Sequence, residues 1–160
     1  MLIEKNMVAE TCAKIRSTGA KIVFTNGCFD ILHVGHVRYL SAAKKLGDVL
    51  IVGLNTDASV KMLKGESRPV NNEKDRAEIL LGLKAVDYVV LFGERTAENL
   101  IAQVKPDVYV KGGDYTIEQI PEARIVQSYG GTVKLIDFVS GYSTTGTIEK
   151  LAAASEINHG

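Results

Sequence analysis

Hydrophobic positions along this 160-residue chain alternate between two rhythms. Short runs rich in β-branched residues, KIVFTNG (21–27), DVLIVGLN (48–55), VDYVVLF (86–92), PDVYVKG (106–112) and GTVKLID (131–137), predict five strands. Between the first two, Tyr39, Ala42, Ala43 and Leu46 stand at i, i+3, i+4 and i+7, with Arg38, Ser41, Lys44 and Lys45 turned outward. That spacing predicts an amphipathic helix starting near Val34. Ala77, Leu80 and Leu81 mark a second helix over 72–84, and others are expected over 96–104, 121–129, 143–155 and, at the N-terminus, about 5–18.

Strands that alternate with helices imply parallel pairing through helical crossovers. The expected fold is therefore α/β: one Rossmann-like, doubly wound, five-stranded parallel sheet with helices on both faces. A single domain spans 1–160, with an N-terminal helix within 1–18, a core over 20–150 and a tail over 156–160. Ligands of such sheets bind at the carboxyl ends of the strands, near the point where strand order reverses. This directs attention to 26–36, 55–68, 111–116 and 138–146. The polar segment 60–74, with Gly65 and Pro69, is expected to be a mobile loop.

Composition narrows the classes. Nineteen Lys and Arg balance nineteen Asp and Glu, which argues against a nucleic-acid partner. The longest apolar runs are far too short to cross a bilayer, and MLIEKNMVAE lacks the apolar stretch of a signal peptide. Two cysteines, Cys12 and Cys28, form no disulfide framework. A cytoplasmic enzyme without membrane contact is expected.

The chemistry concentrates in GCFDILHVGH (27–36), where His33 and His36 close the first strand and open a helix. A structural zinc site takes four ligands, and only Cys28 stands near the two histidines, so metal ligation is the weaker reading. Packing alone accounts poorly for two histidines on one face of a helix start. A phosphate grip fits better: a helix N-terminus attracts anions, two imidazoles add donors, and Gly35 lets a ligand approach the backbone. Backbone N–H groups of Gly27, Cys28 and Phe29, beside Asn26, could cradle phosphate in the turn. Asp30 orients that turn, holds a metal or caps a helix. The commoner phosphate loops are missing: GYSTTGT (141–147) has Walker-like glycine spacing without the lysine, and G-x-G-x-x-G does not occur. Cys28 reads as a packed residue, and Asp57 as the N-cap of a following helix.

F-D-I-L-H-V-G-H resembles the H-x-G-H signature of the nucleotidyltransferase superfamily, and G-Y-S-T-T (141–145) is similar to its second signature, a Ser-Thr-Thr run opening the last helix. R-P-V-N-N-E-K-D-R-A-E-I-L (68–80), V-K-G-G-D-Y (110–115) and I-P-E-A-R-I-V (120–126) resemble the heptose 1-phosphate adenylyltransferases of ADP-heptose synthesis. The likeness covers about residues 20–150. It implies transfer of AMP from ATP to D-glycero-β-D-manno-heptose 1-phosphate, with Mg²⁺ bridging phosphate oxygens and pyrophosphate leaving in line. It also implies a separate heptose 7-phosphate kinase upstream and a homodimer, common in the superfamily. A CTP-dependent enzyme acting on glycerol 3-phosphate is the nearest alternative. Those enzymes carry an arginine where Phe138 stands here, five residues before Ser143. KMLKG (61–65) echoes the KMSKS loop of class I tRNA synthetases, but the chain has no room for a tRNA-binding region.

By this resemblance His33 and His36 donate to the reacting phosphates, and Lys61 and Arg76 are phosphate contacts ahead of Lys64 and Arg68. Read locally, Arg76 could instead pair with Glu73. Ser143, Thr144 and Thr145 would hold the β and γ phosphates. Lys111, Gly112 and Gly113 end a strand at the sheet's carboxyl edge, where Asp114 could accept from ribose hydroxyls.

Overall fold

A computed structural model describes residues 1–113, 115–137 and 151. The strands are β1 (Leu2–Ile3), β2 (Ile22–Gly27), β3 (Val49–Asn55), β4 (Tyr88–Phe92), β5 (Val108–Gly112) and β6 (Thr132–Ile136). The helices are α1 (Val8–Ser17), α2 (Val34–Lys44), α3 (Asp57–Lys64), α4 (Glu73–Leu81), α5 (Glu98–Val104) and α6 (Ala123–Ser128), with 3₁₀ turns at Lys5–Met7 and Ile117–Gln119. Among the described residues the six strands are all parallel, in the order β1-β4-β3-β2-β5-β6. Strand order reverses between β2 and β5, so their carboxyl ends open the crevice in which this architecture binds ligands.

Side chains alternate along the strands and feed two cores. Ile22, Phe24, Ile51, Val90 and Tyr109 pack with Val8 and Cys12 of α1, Ile101 and Val104 of α5 and Val126 of α6. Val23, Leu50, Val52, Val89 and Val110 pack with Leu40 and Ala43 of α2 and Ala77 and Leu80 of α4. The Rossmann-like parallel sheet covered on both faces is as the alternating pattern predicts.

Two elements depart from expectation. The sheet has a sixth strand, β1, whose two residues are too few to display a period; Ile3 is buried and Leu2 exposed. The expected loop over 60–74 instead begins on α3, where Thr56 Oγ1 accepts from the Ser59 N–H at 3.4 Å. The cap is therefore Thr56, and Asp57 is the first helical residue. Within α3 Ser59 and Val60 are buried while Met62 and Leu63 stay exposed, so its apolar residues trace no inward stripe. The expected helix over 143–155 lies outside the described residues, apart from Leu151. Among the described residues no helix is long and apolar enough to cross a membrane.

Candidate active site at the strand switch point

At the carboxyl end of β2 the chain must turn sharply into α2. Phe29 takes a left-handed backbone, φ +45°, costly for a residue with a side chain. A Cβ on Gly27 would stand 2.9 Å from the Phe29 ring, so a larger residue there would have to displace that ring. That ring meets His36 edge-on, with centroids 5.5 Å apart, and His33 stacks on His36 at 4.0 Å. Gly35 is buried in the first turn of α2 between the two histidines.

Nδ1 of His36 accepts from the His33 backbone N–H at 3.3 Å. The neutral ring therefore carries its proton on Nε2, leaving that N–H as the donor. Burial, with a smaller push from His33, holds the His36 pKa down to about 4. Burial lowers His33 as well. His36 is thus a neutral donor at physiological pH.

A network of charged side chains fixes the loops around this turn. Asp30 is 2% exposed, and its carboxylate accepts from Arg68 Nε at 2.9 Å, from Val70 N–H at 2.8 Å and from Asn71 N–H at 2.9 Å. Burial pushes its pKa up, but the Asn71 and Val70 amides and the Arg68 guanidinium outweigh that and leave it below the ordinary carboxylate value. Of the three roles open to Asp30, the structure shows the orienting one, applied to the 68–71 turn.

Arg76 is only 1% exposed. Its Nε donates to the Asn71 carbonyl at 2.9 Å, one terminal nitrogen donates to the Cys28 and Asn55 carbonyls at 2.8 Å each, and the other donates to Asp57 Oδ1 at 2.8 Å. Glu73, the local partner considered for Arg76, accepts instead from the Asp57 N–H. Arg76 is therefore a brace behind the turn, and the expectation of a direct phosphate contact is revised to that positioning place.

The cavity at the switch point has a volume of about 460 Å³ and meets a smaller one of about 220 Å³ along Asn26, Gly27, Cys28, Lys111 and Tyr115. Phe29, His36 and Gly112 line the smaller part. Lys64 and Arg68 line the larger part from the α3 side, and Arg95, Thr96 and Glu122 from the β4 and α6 side. Burial raises the Cys28 thiol pKa, opposed by the nearby charges of Lys64, Arg76 and Arg68, so Cys28 sits as a protonated packed thiol in a positive field. Tyr109 donates to Asn26 Oδ1 at 2.6 Å, which leaves the Asn26 amide N–H₂ for the cleft.

The predicted residues thus divide. Asn26, Gly27, Cys28, Phe29, His36, Lys111 and Gly112 converge on the cleft. His33 stacks behind His36. Lys61 is exposed on α3 and does not line the cavity, whereas Lys64 and Arg68 do, reversing the expected order. Gly113, with φ +105°, follows the strand end. Asp114, Ser143, Thr144 and Thr145 lie outside the described residues. Asn55, Arg95, Thr96, Gln119 and Glu122 also line the cavity and were not among the candidates. The strand-end rule applied after β4 would have found Arg95 and Thr96.

Residues 24–148 match the cytidylyltransferase-like family. The chain belongs to that family. Within it, the chain is 54% identical over 149 residues to the bifunctional protein HldE of Citrifermentans bemidjiense, covering 93% of this chain and 31% of that protein. It is 59% identical over 134 residues to the bifunctional protein HldE of Campylobacter concisus, covering 84% of this chain and 28% of that one. The chain thus spans about 30% of the length of these curated relatives. The crystal structure of a lipopolysaccharide core biosynthesis protein from Thermoplasma volcanium superposes with a TM-score of 0.61 at 35% identity, covering 78% of this chain and all of that one. Both H-x-G-H and the Arg76 brace fall inside the span that carries the family match.

Arg76→Met leaves three backbone carbonyls and Asp57 without their donor, and is expected to lower unfolding free energy by about 3 kcal/mol or more. Urea denaturation measures this, and an unchanged midpoint would contradict the bracing role. The pH dependence of stability follows from His36. Its folded pKa near 4 lies below the unfolded value, so between them the unfolded chain binds a proton that the folded chain does not. The contribution is full above about pH 6.5 and disappears as pH falls toward 4. Between pH 7.5 and 4.5 the wild type should lose about 1–2 kcal/mol more than His36→Gln, whose side chain does not titrate. Parallel pH curves for the two proteins would contradict it.

Proposed function

We propose that this chain transfers AMP from ATP to D-glycero-β-D-manno-heptose 1-phosphate, releasing pyrophosphate. The observation that carries the reading is the His36 Nε2–H at the start of α2, opening into the same switch-point cleft as Lys64 and Arg68. The likeness to the HldE proteins favours the heptose phosphate as acceptor, consistent with the family resemblance in the motifs.

A phosphate oxygen of the sugar attacks the α-phosphorus. The new O–P bond forms as the bond to the β-phosphate oxygen breaks, and pyrophosphate departs in line. The acceptor is already an anion, so the protein needs no nucleophile of its own; positioning and charge stabilisation suffice. His36 donates to phosphate oxygens that gain charge, with His33 stacked behind it. The N-terminus of α2 and the turn at Gly27, Cys28 and Phe29 supply backbone N–H groups. Lys64 and Arg68 offset the charge of the phosphates, and Asn26 and Lys111 bound the cleft from the adjoining strands. Asp114, Ser143, Thr144 and Thr145 keep the ribose and phosphate roles that the resemblance implies.

Among the described residues no group of three His, Cys, Asp or Glu side chains could hold a metal, and Asp30 already serves Arg68 and two amides. The Mg²⁺ that the resemblance implies would enter with the nucleotide and would neutralise charge on the leaving pyrophosphate.

Pyrophosphate release measured with Mg²⁺, each of ATP, CTP, GTP and UTP, and either the heptose 1-phosphate or glycerol 3-phosphate tests the reading. Release with ATP and the heptose phosphate is expected; release only with CTP and glycerol 3-phosphate would overturn it. With the productive pair, His36→Ala should keep its far-ultraviolet circular dichroism and lose about 10²–10³-fold in kcat. Near-wild-type turnover in that variant would remove His36 from the mechanism.

A further inference from the structure

Glu122 opens α6 and is 3% exposed. Its Oε1 accepts from the Ala97 backbone N–H at 3.1 Å, which ties the loop after β4 to the turn before α6. Its Oε2 is buried and has no hydrogen-bond partner among the described residues. No lysine or arginine forms an ion pair with it there either, although Arg95 and Lys111 line the same cavity. A buried carboxylate oxygen left without a donor is costly, and native proteins seldom keep one without a use.

The location says what kind of donor would meet it. Glu122 lines the cavity of about 460 Å³, flanked by Ile120 and Pro121. Its neighbours Ala97, Ile120 and Ala123 belong to the core on the α1, α5 and α6 side of the sheet. Phe29, whose ring meets His36, belongs to the core on the other side. The cations Lys64 and Arg68 stand with the phosphate-binding turn. A nucleotide whose phosphates lie against that turn would carry its base toward the Glu122 end. There a carboxylate repels a phosphate or a carbonyl and attracts an N–H, between apolar side chains suited to a flat ring.

We infer that Glu122 is a specificity-determining residue, whose Oε2 accepts a hydrogen bond from the exocyclic amino group of the adenine. The inference rests on the proposed use of ATP. A purine with a carbonyl oxygen at that position would set two acceptors against each other. A site built around a donor rejects analogues that lack it, because its own polar group is then left unpaired.

The test compares ATP with inosine triphosphate and with purine riboside triphosphate, which lacks the amino group, using kcat and KM from pyrophosphate release. Wild-type protein should lose roughly tenfold to a hundredfold in kcat/KM with either analogue. Glu122→Gln can keep the Ala97 contact through its amide oxygen and turn an N–H₂ toward the base. Its preference for ATP over inosine triphosphate should shrink at least tenfold or invert, with the acceptor KM unchanged. Equal use of ATP and purine riboside triphosphate by the wild type would overturn the inference, and needs no variant to fold. An unchanged ATP-to-inosine ratio in Glu122→Gln, or a raised acceptor KM alone, would overturn it while leaving adenylyl transfer standing. Failure of the wild type to use ATP at all would overturn both.

Discussion

The Arg76 guanidinium holds the carboxyl ends of two neighbouring strands in register with the loops that follow them. Its nitrogens reach the carbonyls of Cys28 after β2, Asn55 at the end of β3 and Asn71 before α4, and the carboxylate of Asp57 in α3. Carbonyls at strand ends need donors once buried, and a planar fork of five N–H groups can serve several at fixed angles. A lysine in its place offers a single compact charge that cannot span the same acceptors. The turn at Gly27 to Asp30, the start of α3 and the 68–71 segment therefore share one anchor. Asp30 fastens that last segment from the other side through Arg68, Val70 and Asn71.

With the loops fixed, the strand order does the rest. Reversal between β2 and β5 opens the sheet edge where α2 begins, so a helix N-terminus, a neutral histidine donor and the side chains of Lys64 and Arg68 face one cleft. The positive field there is felt by Cys28, whose thiol nevertheless stays protonated because burial dominates. The formal charge of the chain is zero, so this field arises from arrangement and not from composition. Phosphate chemistry needs this kind of preorganisation more than it needs a reactive side chain.

The alternating rhythm of the sequence was enough to read five of the six described strands, the two covered faces and the crevice, because period and chain alternation are local signals. Local signals fail where a residue's partners are distant. Arg76 finds its acceptors 48, 21 and 19 residues away, and Asp30 finds Arg68 at 38. Its near neighbour Glu73 suggested a surface pair that does not form. In α3 the apolar Met62 and Leu63 stay exposed, Leu63 at the cavity beside Lys64, so no buried stripe marked how far the helix ran into the 60–74 segment, nor the order of Lys61 and Lys64. Glu122 sits in a motif that the sequence comparison singles out, yet nothing in I-P-E-A-R reveals that one carboxylate oxygen would be buried without a partner.

Under the proposed reaction, the reacting phosphate of the nucleotide lies at the start of α2, in the crevice between β2 and β5. A crystal structure with Mg²⁺ and α,β-methylene-ATP, whose bridge cannot break, measures it directly. An α-phosphate oxygen is expected within hydrogen-bond reach of His36 Nε2, about 2.7–3.2 Å. A triphosphate bound beyond reach of His36, for example along the groove beside α6, would contradict it.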